Sequence, residues 1–494
     1  MPERGGPGTL TAVRRLSGLL VAGLAVLALA GCGSSKPGSG GSSDPTVQAL
    51  SYFPTTSPFV ITAATNPKAA AVKQLSQSSP SYAFAATALF AQLSKMGIDY
   101  NKDIRPLFGN PLVAGVVSTA GFTGSGSSAD FLLVWVTKSA GKLSSLMGKL
   151  HLTRSGTHDG ATLYSAGNAG IAISGPTVFL ARSPAVLDAA LDRHANHQGF
   201  DATAYAKATA GVPAHGLVTA FGDLTPVLST AKAARARQVP WVGAITGYSA
   251  SMTAGQHKMT ITYHVATTGK PLSVSQLPIA SGTASPGLAG SLPIGLGIRD
   301  PEQFITFIAD AIHRTSPAKW GKYRRQAAAL QKRSGVDIAS LGKMLTGQLN
   351  LDSDTRTTMA RAQVSNPSLV QSDLTKLVKA RTAKGAQVTS LGGGFYRVRS
   401  DTSDITVGVS GGQLLVGKAT PAQLRAFATA PAANSSGGSG SVTFRIGLAQ
   451  LLQTAVKHPP SPIAMQLLDM VGDITGSAEA STDGLTGTVS VPFR

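Results

Sequence analysis

The chain has 494 residues, 43% of them hydrophobic and only 13% charged, with a net charge of +20 and one cysteine. A single cysteine excludes a disulfide framework, so the fold rests on core burial, for which there is apolar material enough for one large or two medium domains. The excess of base favours anionic partners. Ala, Gly, Ser and Thr fill so much of the rest that compositional bias explains part of it.

The first element is a targeting segment. Arg4, Arg14 and Arg15 precede an apolar run from Leu19 to Ala30. That run is short of the ~20 residues a spanning helix needs, and it suits the apolar stretch of a signal peptide behind its basic start. Leu29-Ala30-Gly31-Cys32 then resembles the bacterial lipobox, in which the cysteine thiol takes a diacylglycerol before cleavage. Residues 1–31 therefore read as a lipoprotein signal peptide and Cys32 as the lipidation site. Two acyl chains satisfy what stable anchoring requires. Without residues 1–31, which hold three arginines and Glu3, the net charge is +18. Residues 32–44 read as a Gly/Ser tether reaching on the order of 20 Å. Export makes lipid headgroups or wall polymers the expected anionic partners, and excludes nucleic acid.

From here the same order of features runs twice, which predicts an α+β fold of two tandem duplicated domains, 45–270 and 288–494, each an antiparallel sheet with packed helices, joined by a linker at 271–287. An apolar strand opens each copy, at Phe59-Val60-Ile61 and at Leu292–Leu296. Long helical stretches follow, about 68–95 and about 301–333. Each stops at the glycine of a matched phrase, Gly97-Ile98-Asp99 to Gly109 and Gly335-Val336-Asp337 to Gly347, where glycine ends one helix and Asp caps the next. Then come β-type runs, a helix (about 139–149 and 368–381) and a hairpin leading into a helix at Ser183-Pro184 and at Thr420-Pro421. Each copy closes on a strand, 217–221 and 442–446, a helix, and a pair of strands at about 246–265 and 474–491. The Ser/Gly-rich segments 121–128 and 434–441 read as loops. Each half carries a net +9.

The lipobox, the tether, the opening Tyr52-Phe53-Pro54-x-x-x-Pro58-Phe59 phrase and the repeated Gly-[Ile/Val]-Asp phrase resemble a family of bacterial lipoproteins and membrane-anchored proteins, domain of unknown function 3352. The resemblance implies no catalytic residues.

The search for chemistry returns little. Gly408-Val409-Ser410-Gly411-Gly412 matches the nucleophile-elbow pattern, but an apolar run, Leu414–Val416, follows where a hydrolase needs a helix, so a hairpin turn is the expected reading. His194-x-x-His197 with Asp188, Asp192 and Asp201 offers metal-type ligands, yet zinc needs three in a defined geometry, and a solvated helix end is expected instead. Carboxylate pairs for glycoside chemistry would have to come from a chain whose only glutamates past Cys32 are Glu302 and Glu479. Asp99 and Asp337 read as caps, and Asp352, Asp354, Asp401 and Asp404 as loop residues. No phosphate-binding or dinucleotide glycine pattern is present. No cofactor and no metal is expected, and an enzyme is not.

One local feature stands out. Between 311 and 334 there is no acid, while Arg314, Lys319, Lys322, Arg324, Arg325, Lys332 and Arg333 are basic. At 100° per residue Trp320, Tyr323, Ala327 and Leu330 share a face, and Lys322, Arg325, Lys332 and Arg333 the opposite one. The ordinary reading is a solvated face; the sharper one is contact with an anionic surface. The expected function is therefore a non-catalytic, membrane-anchored binding or interaction module of the cell envelope. The alternatives are a carrier for an apolar, lipidic or anionic ligand, which predicts an apolar cavity within one domain, and a cryptic hydrolase.

Overall fold

Alternation of apolar residues along short segments, broken by Gly-containing turns, builds hairpins, and hairpins dominate this chain. The computed structural model describes residues 44–65, 97–119, 129–150, 152–166, 168–214, 216–255, 257–268, 272–282, 284–382, 386–400, 403–432, 440–455 and 471–493. The expected targeting segment with Cys32, the first expected long helix and the Ser/Gly-rich segment 121–128 lie outside the described residues, as do residues 433–439 of the second such segment. The fold is α+β, with antiparallel strands. It divides into two compact units, residues 1–232 with 246–265 and 493, and residues 233–245 with 266–492 and 494. The expected boundary at 270 is thus displaced, and 233–245 belongs with the second unit.

The first unit holds β1 (Phe59–Ala63), β2 (Leu112–Val116), β3 (Phe131–Val136), β4 (Thr153–His158), β5 (Ala161–Ala166), β6 (Ala169–Ser174), β7 (Thr177–Ala181), β8 (Val218–Asp223), β9 (Ile245–Gly255) and β10 (Lys258–Thr267). Their order is β4-β5-β6-β7-β3-β2-β1-β8-β9-β10. The all-apolar β3, Phe-Leu-Leu-Val-Trp-Val, is covered on both faces, as such a run predicts. Leu132, Val134 and Val136 pack with Phe179, Phe221 and Leu187 in the main core. Trp135, with Ile173 and Val178, packs on Leu143 and Leu146 of the Ala140–Lys149 helix. The Pro184–Ala195 helix starts as expected, with Ser183 Oγ accepting from Val186 N.

The second unit holds β11 (Ile294–Arg299), β12 (Leu345–Ser353), β13 (Thr358–Val364), β14 (Gln387–Gly392), β15 (Phe395–Ser400), β16 (Ser403–Ser410), β17 (Gln413–Lys418), β18 (Val442–Ile446), β19 (Ile474–Ser481) and β20 (Gly484–Pro492). Their order, β14-β15-β16-β17-β13-β12-β11-β18-β19-β20, repeats that of the first unit strand for strand. On one face the Pro421–Thr429 helix packs Leu424 and Phe427 against Met359, Phe395 and Leu415. The Pro367–Thr382 helix contacts β16 and β17.

Several expectations are corrected here. β11 begins at Ile294, not Leu292, because Pro293 has no N–H and Leu292 N donates to the Asp352 carboxylate instead. The stretch 301–333 is two helices, Pro301–Thr315 and Pro317–Ser334; Ser316 leaves helical geometry, and Pro317 opens the second. The stretch 271–287 is no free linker. Leu277 and Ile279 pack with Trp241, Phe304 and Leu485. Thr443 Oγ1 donates to Pro286 O at 2.7 Å and Asn350 Nδ2 to Gly287 O at 2.6 Å. Apolar residues spaced through Gly/Pro-rich text made a strap over the sheet.

Candidate functional site

The candidate nucleophile is disposed of by geometry. Ser410 ends β16, and Gly411 and Gly412, with φ of +60° and +77°, turn the chain directly into β17. Two positive-φ residues are what a two-residue hairpin demands, and no helix follows to raise the serine.

The candidate metal ligands do not gather as expected. His194 stacks on Tyr52 at 4.2 Å and shares a 2.6 Å hydrogen bond with Ser51 Oγ, and burial lowers its pKa. His197 lies beyond the helix end at positive φ, and Asp201 caps the Ala202–Ala208 helix through Ala204 N. Asp192 instead meets a residue the sequence left unassigned: His158 Nε2 lies 2.7 Å from Asp192 Oδ1 and 3.7 Å from Asp159 Oδ2. Asp192 raises the pKa of His158 by that hydrogen bond, and His158, Asp159 and Asp192 bring one ligand-type atom each within 4.8 Å of one another, an arrangement that could hold a metal ion.

The acids divide by role. Asp99 and Asp337 cap short helices as expected, the latter through Ala339 N. Asp354 closes a turn, accepting from Arg356 and Thr357 N–H groups. Asp401 lies outside the described residues. Asp352 and Asp404, however, are strand residues and not loop residues. Asp404 on β16 is held well below the usual carboxylate range by Arg397 and Arg399. Asp352 on β12 is buried, accepts from Ser291 and Leu292 N–H groups and has Arg445 at 3.8 Å; burial nonetheless raises its pKa.

The two helices Pro301–Thr315 and Pro317–Ser334 remain. Lys322, Arg325, Lys332 and Arg333 are all exposed, as are Lys319 and Arg324, and none ion-pairs with a described acid. The expected buried stripe is only partly so: no residue of the Pro317–Ser334 helix is fully buried, and Tyr323 is 51% exposed. Its ring stacks on Trp320, and Trp320 lies tilted against His313 of the preceding helix at 5.5 Å. There the sequence reading missed a feature. Ile305, Ile308 and Ile312, 43%, 41% and 40% exposed, follow helical spacing on the Pro301–Thr315 helix. The i, i+3, i+7 pattern was legible, but it reads as core in sequence and is partly exposed in the structure.

The second unit also contains a cavity of about 200 Å³. Leu341, Val370, Leu374 and Leu377 of two helices roof it, and Val364, Val407 and Leu414 of the sheet floor it. Among the described residues no helix is long and apolar enough to cross a membrane.

Comparison with known proteins adds one family match. No curated protein matches. Solved structures of TP0453 in crystal forms III, IV and I match at 9%, 10% and 10% identity, over 46%, 44% and 47% of this chain and 82%, 81% and 82% of theirs, each with a TM-score of 0.27. Residues 16–250, just under half of the chain, match the family model described as protein of unknown function (DUF3352).

Proposed function

We propose that this is an extracytoplasmic lipoprotein, anchored through diacylglycerol on Cys32, whose second unit docks without catalysis onto an anionic surface, lipid headgroups first and wall polymer as the alternative source of the same charge. The observation carrying the reading is the helix pair 301–334. It offers six exposed bases on its second helix with no acid after Asp310, beside three partly exposed isoleucines and a stacked, partly exposed Trp320–Tyr323 pair. Bases attract anionic headgroups by about 1 kcal/mol each near the surface, and apolar residues and aromatic rings suit the interface. Against the enzyme reading stand the hairpin seat of Ser410 and the dispersal of His194, His197 and Asp201.

The test is sedimentation with vesicles of phosphatidylglycerol and of phosphatidylcholine. The chain without residues 1–31 and with Cys32→Ala should bind the first and not the second. Combined Lys322→Glu, Arg325→Glu and Lys332→Glu should abolish the binding. Unchanged binding by the triple variant removes the basic helix from the proposal.

A further inference from the structure

We infer that the cavity of the second unit is a binding site for an aliphatic chain, a reading that stands apart from the docking surface. Its place in the fold can be traced through the strand ladders. In the first unit β3 pairs with β7 so that Trp135 stands opposite Val178, and the indole fills the space beneath the Ala140–Lys149 helix together with Leu143 and Leu146. In the second unit the matching ladder, β13 with β17, places Ala362 opposite Leu414. At that position of the ladder the second unit has a methyl where the first has an indole; Leu414 across from it, with Val364 and Val407, lines the cavity beneath the Pro367–Thr382 helix, and Ala362 itself does not.

The chemistry of the walls names the occupant. Val370, Leu374 and Leu377 recur at i, i+4 and i+7, so one helix face forms the roof, and Val364, Val407 and Leu414 project from the sheet below. Every lining residue is a leucine or a valine, so nothing inside can satisfy a charge or a hydrogen bond. Apolar cavities of about 150 Å³ lined this way stay dry and accept benzene. One of about 200 Å³ has room for a somewhat larger hydrocarbon. It is partly open to the surface, so a chain can enter while its polar head stays in water. Lys343 ends the short Ile338–Lys343 helix that contributes Leu341, and it is exposed, which suits an anionic head.

The shared chemistry, an alkyl chain on an anionic head, fits a free fatty acid or a membrane phospholipid. Titration calorimetry of the full-length chain with octanoate, and in a second arm with phosphatidylglycerol carrying octanoyl chains, separates the two. Saturable binding in at least one arm is expected, the phosphatidylglycerol arm being read on the chain with Lys322→Glu, Arg325→Glu and Lys332→Glu, and Leu414→Trp in the cavity wall should weaken it roughly tenfold or more while the far-ultraviolet circular dichroism is kept. Should Leu414→Trp not fold, Leu374→Phe narrows the same space from the roof and should have the same effect. No saturable binding in either arm overturns the inference, and so does equal binding by a folded variant with the cavity filled. Because the Lys322, Arg325 and Lys332 reversals leave these walls untouched, they should leave octanoate binding unchanged, so this site and the docking surface fail separately.

Discussion

Two buried charged side chains, both in the second unit, decide most at the scale of single residues. Arg361 on β13 is buried and has no carboxylate partner among the described residues. Its Nη1 donates to the carbonyls of Phe427, Ala428 and Ala430 at 2.6–2.9 Å, and its guanidinium lies 5.2 Å from the Phe427 ring centroid. Those carbonyls end the Pro421–Thr429 helix, where unsatisfied acceptors and the negative end of the helix dipole both favour a cation. Arg361→Ala should therefore cost about 3 kcal/mol by orphaning buried carbonyls, read as a lowered urea midpoint. Asp352 acts through pH. Burial raises its pKa above the unfolded value of 3.8, so the folded state holds its proton more tightly. Stability is then fullest below pH 3.8 and falls as pH rises from there through the raised value. Asp352→Asn removes the titration but keeps an acceptor for the Ser291 or Leu292 N–H. It should flatten that part of the urea-midpoint profile between pH 4 and 7, and an unchanged slope would show that another group sets it.

At the scale of elements, the parts legible in the sequence are those with local chemistry. Thr420-Pro421 announced a helix start because a hydroxyl acceptor and a fixed φ each act within three residues. The structure adds the reciprocal half of a capping box: Thr420 Oγ1 accepts from Gln423 N, and Gln423 Oε1 accepts from Thr420 N at 2.8 Å. Thr420→Ala should cost about 1 kcal/mol, measurable as a lower melting temperature, while Thr420→Ser should restore most of it. What stayed illegible needed partners distant in sequence. The strap 272–287 looks like a linker until Thr443, Asn350 and Trp241 come up against it from elsewhere in the second unit. Asp352 and Asp404 look like loop residues until their strands find a register. The pairing of Trp135 with Val178 and of Ala362 with Leu414 is invisible without the ladders, and of these four residues only Leu414 lines the cavity. The basic residues were legible as a helix face, but whether the neighbouring isoleucines were core or surface was not, since periodicity reports a face and not what covers it.

For the whole molecule, the proposed lipid anchor and the proposed docking surface respond differently to salt. The six bases of the Pro317–Ser334 helix give an attraction of up to about 6 kcal/mol at low ionic strength. The three isoleucines are already more than half covered, so finishing their burial adds only about 1 kcal/mol apiece. Charge should therefore dominate the protein's own affinity, and charge is what salt removes: the screening length shrinks from ~10 Å at 0.1 M to ~3 Å at 1 M. A chain beginning at residue 32 with Cys32→Ala should thus bind phosphatidylglycerol vesicles at low salt and release at 1 M. Ile308→Ser should weaken that binding only about fivefold, the equivalent of about 1 kcal/mol. The exported chain with Cys32 intact should stay with the vesicles at both salt concentrations, because two buried acyl chains are indifferent to screening. Release of the intact protein at 1 M salt would refute the anchor at Cys32, whereas retention of the Cys32→Ala chain there would shift the weight from the bases to Ile305, Ile308 and Ile312.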